Sequence, residues 1–407
     1  MSTNRTASRK SQVRGADFTA ALSAKWRNWF DQIFRAQSIH FYRLLGVTLF
    51  LVIFGVVMVL SASSVDSLVA NKNAFAVFFK QFLFAGLGLF ALASVSILPR
   101  MVLRKLVPIF FFISLIGQIV VLIAGKSING NRNWIAIGSF NIQPSEFIKL
   151  SVILFLALYL SQQIENLDLR QTWIRTFLVI GIAMGLVLGG SDFGTMIVMA
   201  IAFIGLLLLA GLPTQLFRLV ALASVVAVPL LINFGSSSRS ARISAWLNPM
   251  AADPSGFNWQ SEHGIWAIAA GRIFGAGLGE SKMKWSWIPE VENDFIFAVI
   301  AEELGLIGAL VVIVLFVILA FSLLKILQRT QDPFGRFAVG GILIWIVFQA
   351  LINIAVVLRL LPVLGVPLPL ISQGGSSMLS TLIAIGVVLS IERENHLLPQ
   401  SRVRSRR

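Results

Sequence analysis

Residues 44–63 decide the fold class, and they read LLGVTLFLVIFGVVMVLSAS. This stretch of 20 residues carries no charged side chain, and its length is what a helix needs to cross the hydrocarbon core of a bilayer. Nine further apolar runs follow, so the sequence predicts an all-α polytopic membrane protein with about ten transmembrane helices. The predicted helices cover residues 44–63, 75–97, 106–124, 147–161, 173–190, 196–211, 215–233, 295–325, 336–358 and 375–391.

The composition supports the same fold class. Of the 407 residues, 57% are hydrophobic and only 13% are charged, and the mean hydropathy is +0.85. Too few polar residues remain to cover a water-soluble surface. The absence of cysteine excludes disulfides, cysteine nucleophiles and iron–sulfur clusters, and the three histidines lie too far apart to suggest a zinc site. The net charge of +15 falls in short gaps between apolar runs, which indicates membrane orientation and not nucleic-acid binding.

The distribution of basic residues predicts the orientation of the chain. With the N-terminus inside, 22 of the 33 Lys and Arg residues fall in inside segments, so both termini are predicted to be cytoplasmic. The basic tail of residues 1–43 contains Trp26 and Trp29, and their helical spacing predicts an interfacial helix on an anionic leaflet. A helix that docks on a partner is the alternative. The membrane domain then covers residues 44–392, and residues 393–407 form a second basic cytoplasmic tail.

One predicted extracytoplasmic loop, residues 234–294, is too long and too rich in Trp, Ile and Phe to be a linker. Four glycines between Gly271 and Gly279 interrupt any long helix there. We expect this loop to fold back onto the outer mouth of the helix bundle.

Ionisable groups at membrane depth are costly and are therefore candidates for function. Arg132 lies in the segment GNRNWI, and Glu146 and Lys149 follow in QPSEFIK. Glu146 and Lys149 are three residues apart, so they share one face of the helix that Pro144 begins. One interpretation is an ion pair that neutralises itself at the helix entrance. The other is that Arg132 and Lys149 offer positive charge to a phosphate.

Two aspartates stand where polar loops meet the membrane. Asp192, in the segment SDFGT, either caps the following helix or belongs to a functional site. Asp294 ends the polar run WIPEVEND just before the eighth apolar run. Partial desolvation there would make its carboxylate a stronger base, and an N-cap role is the alternative. Helical phase excludes a carboxylate dyad of Asp294 with Glu302 or Glu303 on the same helix.

Residues 361–377 read LPVLGVPLPLISQGGSS. Three prolines and the adjacent Gly374 and Gly375 cannot continue a helix, so the backbone is expected to be broken near the outer leaflet. Membranes tolerate such a break where the segment lines a cavity. The amide groups after the two glycines open the tenth helix and could face an anion. A plain loop is the alternative.

Taken together, these four clusters resemble the SEDS family (shape, elongation, division and sporulation) of bacterial envelope proteins, over about residues 44–392. The resemblance implies a fold of ten transmembrane helices and a peptidoglycan glycosyltransferase that polymerises lipid II. It also implies that Asp294, in the pattern P-E-x-x-x-D-F, is the essential catalytic aspartate. The substrate-binding positions that it implies are Arg132, Glu146, Lys149, Asp192, Pro289, Glu290, Ser372, Gly374 and Gly375.

Within the family the chain resembles the cell-division branch, because of its long basic N-terminal tail and the run SASS at residues 61–64. Ser191 and Gln373 replace a proline and a tyrosine that are frequent in the family, so the elongation branch is the alternative. The resemblance implies a location in the bacterial plasma (inner) membrane, at the division septum. It also implies a class B penicillin-binding protein, which is a transpeptidase, and other division proteins as partners.

The chemistry expected of such an enzyme is within reach of these residues. Lipid II carries a diphosphate leaving group, so one base suffices for the reaction between lipid II and the nascent glycan strand. Asp294 would take the proton from the acceptor sugar hydroxyl as that hydroxyl attacks the anomeric carbon of the donor. Direct displacement implies inversion at that carbon. Arg132 and Lys149 would offset the charge that develops on the diphosphate. A divalent cation, Mg²⁺ or Mn²⁺, is the one candidate cofactor.

Two other classes of function are compatible with the sequence. In a lipid II flippase, the path for the headgroup through the membrane would be lined by Glu146, Lys149, Glu302, Glu303 and Arg359. In a non-catalytic scaffold for division enzymes, polar substitutions at the outer mouth would be tolerated.

Overall fold

The computed structural model describes residues 37–128, 131–138, 140–167, 169–233, 237–248, 256–282, 284–285 and 291–404. The predicted interfacial helix around Trp26 and Trp29 lies outside these residues, so it stays a prediction. One compact unit extends from His40 to the C-terminal end of the chain.

The described residues form twelve α-helices, a single 3-10 turn and three short strands. The helices are α1 (Ile39–Asn71), α2 (Ala76–Ser96), α3 (Arg100–Ala124), α4 (Pro144–Gln162), α5 (Arg170–Gly189), α6 (Phe193–Leu209), α7 (Thr214–Asn233), α8 (Ser237–Leu247), α9 (Phe257–Gly271), α10 (Ile296–Arg329), α11 (Pro333–Val357) and α12 (Gly375–Arg404). The strands are β1 (Lys126–Ile128), β2 (Asn131–Ile137) and β3 (Phe140–Ile142).

Eight of these helices, α1 to α5 and α10 to α12, are long and apolar enough to cross a membrane. Helix α6 and the first part of α7 are shorter apolar helices. Together these ten correspond to the ten predicted segments and confirm a polytopic helical fold. Helices α8 and α9 lie in the predicted loop of residues 234–294 and confirm that its described parts are folded. The side of the membrane that each terminus faces stays a prediction.

The small sheet between α3 and α4 departs from the all-helical expectation. Strands β1, β2 and β3 pair antiparallel in that order, with Ile135 opposite Ile142 in the second pair. Strands of three and seven residues are too short to give a period-2 pattern that stands out beside long apolar runs. The sheet carries Arg132 and leads directly into Pro144, the first residue of α4.

The surface of the bundle is apolar where it would meet lipid. On α3, Ile116 and Ile123 expose 60% and 77% of their surface, whereas Phe111 and Val121 on the opposite face are buried. Helices α4 and α12 lie inside the bundle instead, and α2 packs along α12. In a membrane the exposed isoleucines are solvated by acyl chains, so such exposure carries no penalty there.

Helix α10 is broken at Gly305, whose φ of +68° and ψ of −167° are not helical. The break frees backbone groups, which a glycine-containing segment that follows α9 satisfies. The hydrogen bonds run from Ala276 N to Glu302 O (2.9 Å), from Gly277 N to Glu303 O (3.0 Å) and from Leu306 N to Arg272 O (2.9 Å). Hydrogen bonds thus hold the segment that follows α9 against the helix that begins just after Asp294.

Helix α12 continues past residue 392, where the sequence predicts that the membrane domain ends. Arg393 is buried and donates to Ile97 O at 2.9 Å, and Glu394 forms an ion pair with Arg100 at 3.1 Å. Helix α12 therefore packs on the α2–α3 turn beyond residue 392. Charge alone marked these residues as a solvated tail, but here the charges pair across the turn.

Candidate active site

Asp294 lies in a turn that leads into α10, and its residue is partly exposed. The N-cap residue of α10 is Phe295, which makes no side-chain cap. Asp294 thus lies one residue before the N-cap position of α10. The same turn is held against the broken segment, because Gln373 N donates to Glu292 O at 2.9 Å.

Arg242 of α8 is the cation that faces Asp294. A methyl group at Gly365 would lie 3.6 Å from Asp294 Oδ2 and 3.7 Å from Arg242 Nη1, so both atoms border the same point. Arg242 Nη1 also donates to Val363 O at 3.3 Å. Burial lowers the pKa of the Arg242 guanidinium, and the charges of Asp294 and Asp192 oppose that shift. Arg242 therefore interacts electrostatically with both aspartates.

Asp192 caps the helix that follows it, which is one of the two roles that the sequence left open, and its role in binding substrate stays a prediction. Its Oδ1 accepts from Thr195 N at 3.0 Å and so caps α6. Its Oδ2 accepts from Gln143 Nε2 at 3.0 Å and from Ser145 Oγ at 3.1 Å, at the start of α4. Asp192 thereby joins the N-termini of two helices and places its charge near Arg242.

Glu146 and Lys149 form a fully buried ion pair, with Lys149 Nζ 2.8 Å from Glu146 Oε1. Lys149 Nζ also donates to Gln349 Oε1 at 3.0 Å and lies 5.3 Å from the centre of the Trp345 ring. The structure thus contains the self-neutralising ion pair that the sequence offered as one interpretation, and Gln349 and Trp345 of α11 make further contacts with Lys149. A direct role of Lys149 or Glu146 in binding substrate stays a prediction.

The broken segment before α12 is held by hydrogen bonds and is not a plain loop. Ser372 Oγ accepts from Leu368 N at 2.8 Å, and Gln81 of α2 donates to Ser372 O at 3.2 Å. Gln81 Oε1 accepts from Gly374 N at 3.3 Å, and Gly375 packs directly against the ring of Phe84. The Gly374 amide thus donates its hydrogen bond to Gln81 of α2 and not to an anion.

Arg132 is exposed on β2, and its guanidinium donates to Leu122 O at 3.2 Å. Its backbone amide donates to Gly190 O at 3.0 Å, which anchors the sheet two residues before Asp192. The structure thus brings the strand of Arg132 to the site, while its side chain contacts α3. Pro289 and Glu290 lie outside the described residues, so their predicted roles stay predictions.

A protein-held metal ion finds little support in the donor set. The part of the chain that the structure describes contains no group of three or more Asp, Glu or His side chains that could hold one. Asp192 and Asp294 have Arg242 beside them, and Asp192 already accepts three hydrogen bonds. The Mg²⁺ or Mn²⁺ cofactor stays a prediction.

Three polar residues at the site could not be singled out from the sequence, namely Arg242, Gln349 and Asn353. Arg242 is one of several basic residues in a long loop, and Gln349 and Asn353 are isolated amides in an apolar run. The carboxamide of Asn353 donates to Asp294 O at 2.9 Å and to Val366 O at 2.8 Å. The usable signal was the spacing of four residues between Gln349 and Asn353, which puts both on one helix face.

The chain matches known proteins over most of its length. A family model described as a cell cycle protein, FTSW_RODA_SPOVE, matches residues 42–397. A protein of Mycobacterium tuberculosis named probable peptidoglycan glycosyltransferase FtsW is 36% identical, over 91% of this chain and 71% of that one. Stage V sporulation protein E of Bacillus subtilis is also 36% identical, over 85% of this chain and 95% of that one.

Solved structures show the same architecture. A chain from a study of polymerization and crosslinking by a peptidoglycan synthase complex superposes with a TM-score of 0.73, at 26% identity, over 89% of this chain and 99% of that one. The rod shape determining protein RodA of Thermus thermophilus superposes with a TM-score of 0.65, at 25% identity, over the same shares of the two chains.

Proposed function

Since the chain belongs to the FTSW_RODA_SPOVE family of cell cycle proteins and is a multi-pass membrane peptidoglycan glycosyltransferase, we propose that it polymerises lipid II by direct glycosyl transfer, with Asp294 as the general base. The observation that carries this proposal is that Asp294 and Arg242 border one point at the mouth of the bundle, beside Gly365. A base must be held within reach of the proton that it takes, and Gln373 and Asn353 hold the turn of Asp294 through the carbonyls of Glu292 and Asp294.

The proposed reaction uses one proton transfer. The acceptor hydroxyl attacks the anomeric carbon of the donor sugar, the bond from that carbon to the diphosphate oxygen breaks, and the hydroxyl proton passes to Asp294. The diphosphate leaves as an anion and needs no protonation by the enzyme. Direct displacement inverts the anomeric configuration.

Charge on the departing diphosphate calls for a cation near the reacting atoms. Arg242 is the best placed of the described residues, because it borders Asp294 and lies outside the membrane-spanning helices. The exposed Arg132 on β2 is a second cation that a diphosphate at the mouth could reach. Lys149 acts from inside the bundle, through its hydrogen bond to Gln349.

The partner and the place of action extend the same proposal. One similar structure belongs to a peptidoglycan synthase complex that coordinates polymerization with crosslinking. We propose that this chain likewise works with a class B penicillin-binding protein, at the division septum, because its curated relatives include proteins named FtsW. The elongation branch would instead place a fluorescent fusion of this chain along the side wall of growing cells.

The direct test is a glycan ladder assay. The purified full chain is incubated with lipid II, with and without the transpeptidase, and the polymer is separated by length. Wild type is expected to give ladders, and Asp294→Asn none, although this variant still binds lipid II. Ladders from Asp294→Asn at the normal rate would show that Asp294 is not the base. Lipid II movement across vesicles without any polymer would overturn the proposed reaction.

A further inference from the structure

Helix α11 carries a column of three buried polar side chains on one face. Trp345, Gln349 and Asn353 follow one another at intervals of four residues, and each is no more than 1% exposed. Residues spaced in this way lie one above another along a helix. Buried amide groups are costly unless their hydrogen bonds are made, so the contacts of this column indicate what it holds.

The extracytoplasmic end of the column is Asn353, and it clamps two separate stretches of backbone. Its Nδ2 donates both to Asp294 O (2.9 Å) and to Val366 O (2.8 Å). A flipped carboxamide would turn its oxygen toward these two carbonyls, so the orientation of Asn353 is determined. One side chain thus joins the turn of the proposed base to the broken segment before α12.

The next residue of the column, Gln349, faces the buried ion pair. Its Oε1 accepts from Lys149 Nζ at 3.0 Å and from Trp345 Nε1 at 2.7 Å, while its Nε2 donates to Pro367 O at 3.0 Å. Gln349 and Asn353 therefore donate hydrogen bonds to the carbonyls of two consecutive residues of the broken segment, Pro367 and Val366. The same segment holds Arg242 through Val363 O.

We propose that Gln349 and Asn353 are positioning residues for the transfer reaction: together they set the main chain of Asp294 and the segment that holds Arg242 in one register. This inference rests on the proposed role of Asp294 as the base. Neither amide needs to touch substrate, and both act through the groups that they hold. Lys149 and Glu146 then serve the site from a distance, because they fix the oxygen of Gln349.

The expected effect follows from geometry. Without the Asn353 donor, the carbonyls of Asp294 and Val366 lose their shared partner, and the turn is free to move away from the broken segment. A displacement of about 1 Å at a reacting group typically costs about 10²-fold in rate. Because the lipid-binding surface is not altered, the loss is expected in kcat and not in KM.

The test compares Asn353→Leu with Gln118→Leu in the full-length chain. Gln118 is the matched control, since it is a fully buried amide of α3 whose hydrogen bond runs to Leu186 O of α5, at 3.4 Å, and not to α11 or to the broken segment. Asn353→Leu is expected to lower kcat by about 10²-fold with KM changed by less than about threefold. Gln118→Leu is expected to leave both within about threefold of wild type.

Hydrogen exchange supplies a readout that a general loss of stability would not reproduce. In Asn353→Leu, exchange is expected to speed up in peptides that cover residues 291–296 and 364–368, while the helical peptides of α4 and α12 stay as in wild type. Faster exchange throughout the chain, or an unchanged rate at residues 291–296, would overturn the inference.

A second variant covers the case in which Asn353→Leu does not insert. Asn353→Ser keeps a single hydroxyl donor, so a smaller fall in kcat is expected, and wild-type kcat would overturn the inference. Asp294→Asn is assayed alongside. If Asp294→Asn is active, the proposed function fails. If it is inactive while Asn353→Leu turns over normally, only the positioning role fails.

Discussion

Ser61 of α1 binds the carboxylate of Glu303 in α10, with its Oγ 2.6 Å from Oε1 and 2.8 Å from Oε2. Glu303 is fully buried and lies 3.5 Å from Lys284 Nζ. The contact with Ser61 joins the first transmembrane helix to α10, and Lys284 connects the same carboxylate to the segment that follows α9. In the sequence this serine is only part of a polar run. In the structure its hydrogen bonds offset part of the desolvation penalty of the buried Glu303 carboxylate.

Removing this hydroxyl is expected to destabilise the bundle. Ser61→Ala should lower the free energy of unfolding by about 1.5–3 kcal/mol, the usual range for a hydrogen bond to a charged group. Ser63→Ala is the matched control, because the buried Ser63 hydroxyl donates only to Val59 O of its own helix, at 2.7 Å. Thermal unfolding in detergent measures both. Equal losses for the two variants would contradict the special role of Ser61.

Breaking the buried pair of Glu146 and Lys149 is expected to be more harmful than removing it. Lys149→Met leaves an uncompensated carboxylate in the bundle and should cost about 3–5 kcal/mol. The double variant Lys149→Met with Glu146→Gln removes both charges and should recover part of that loss. Unfolding is measured for Lys149→Met, for Glu146→Gln and for the double variant. If the loss of stability in the double variant equals the sum of the two single losses, the two side chains are not coupled.

Gly365 tests the space between Asp294 and Arg242. Gly365→Ala places a methyl group at the point that both side chains border, and its φ of +70° adds about 1–2 kcal/mol of strain. The methyl group would make ordinary van der Waals contact with both side chains, but it fills space that an acceptor hydroxyl would need beside the base. A displacement of that hydroxyl by about 1 Å should lower the polymerisation rate by about 10²-fold. Gly211→Ala, with a φ of +87° and open space around it, carries the strain without the intrusion. Comparable losses of activity in both variants would mean that strain alone matters.

Arg242→Lys should introduce a pH dependence that wild type lacks. Burial disfavours the charged form of a cation and so lowers the pKa of Arg242. Lysine starts about two pH units below arginine, so at the same site it loses its charge at a lower pH. Polymerisation by the variant should therefore fall as pH rises, while wild type stays active.

The exposed Arg218 on α7 offers the control substitution for this titration. Arg218→Lys should leave the pH–rate profile of wild type unchanged, since a solvated lysine keeps its charge. If Arg242→Lys had the same profile as wild type, the charge at Arg242 would not be needed for the reaction.

Much of this architecture could be predicted from the sequence because the membrane imposes simple rules. Every apolar run of sufficient length became a helix, and the broken backbone of residues 361–377 followed from its prolines and glycines. Asp192 and Asp294 stood out because charge at membrane depth is costly. The sheet at Arg132 was missed because its strands are too short for a pattern.

Other features depended on contacts between distant parts of the chain. Arg242 and Asp294 are 52 positions apart, and nothing in their local sequence indicates that they face each other. Asn353 and Gln349 are two amides among apolar residues, and only their partners Asp294, Val366 and Lys149 reveal a purpose. The same holds for Arg393, whose charge suggested a solvated tail.

The sequence by itself thus determined that the chain crosses the membrane in about ten helices and which carboxylates were candidates for function, because burial in lipid penalises each polar residue where it stands. The tertiary structure alone decided which cation faces Asp294, that Lys149 is paired within the bundle, and that α11 supports the base. Hydrogen bonds and ion pairs require atoms within about 3–4 Å, and only the packed helices bring residues from separate runs that close.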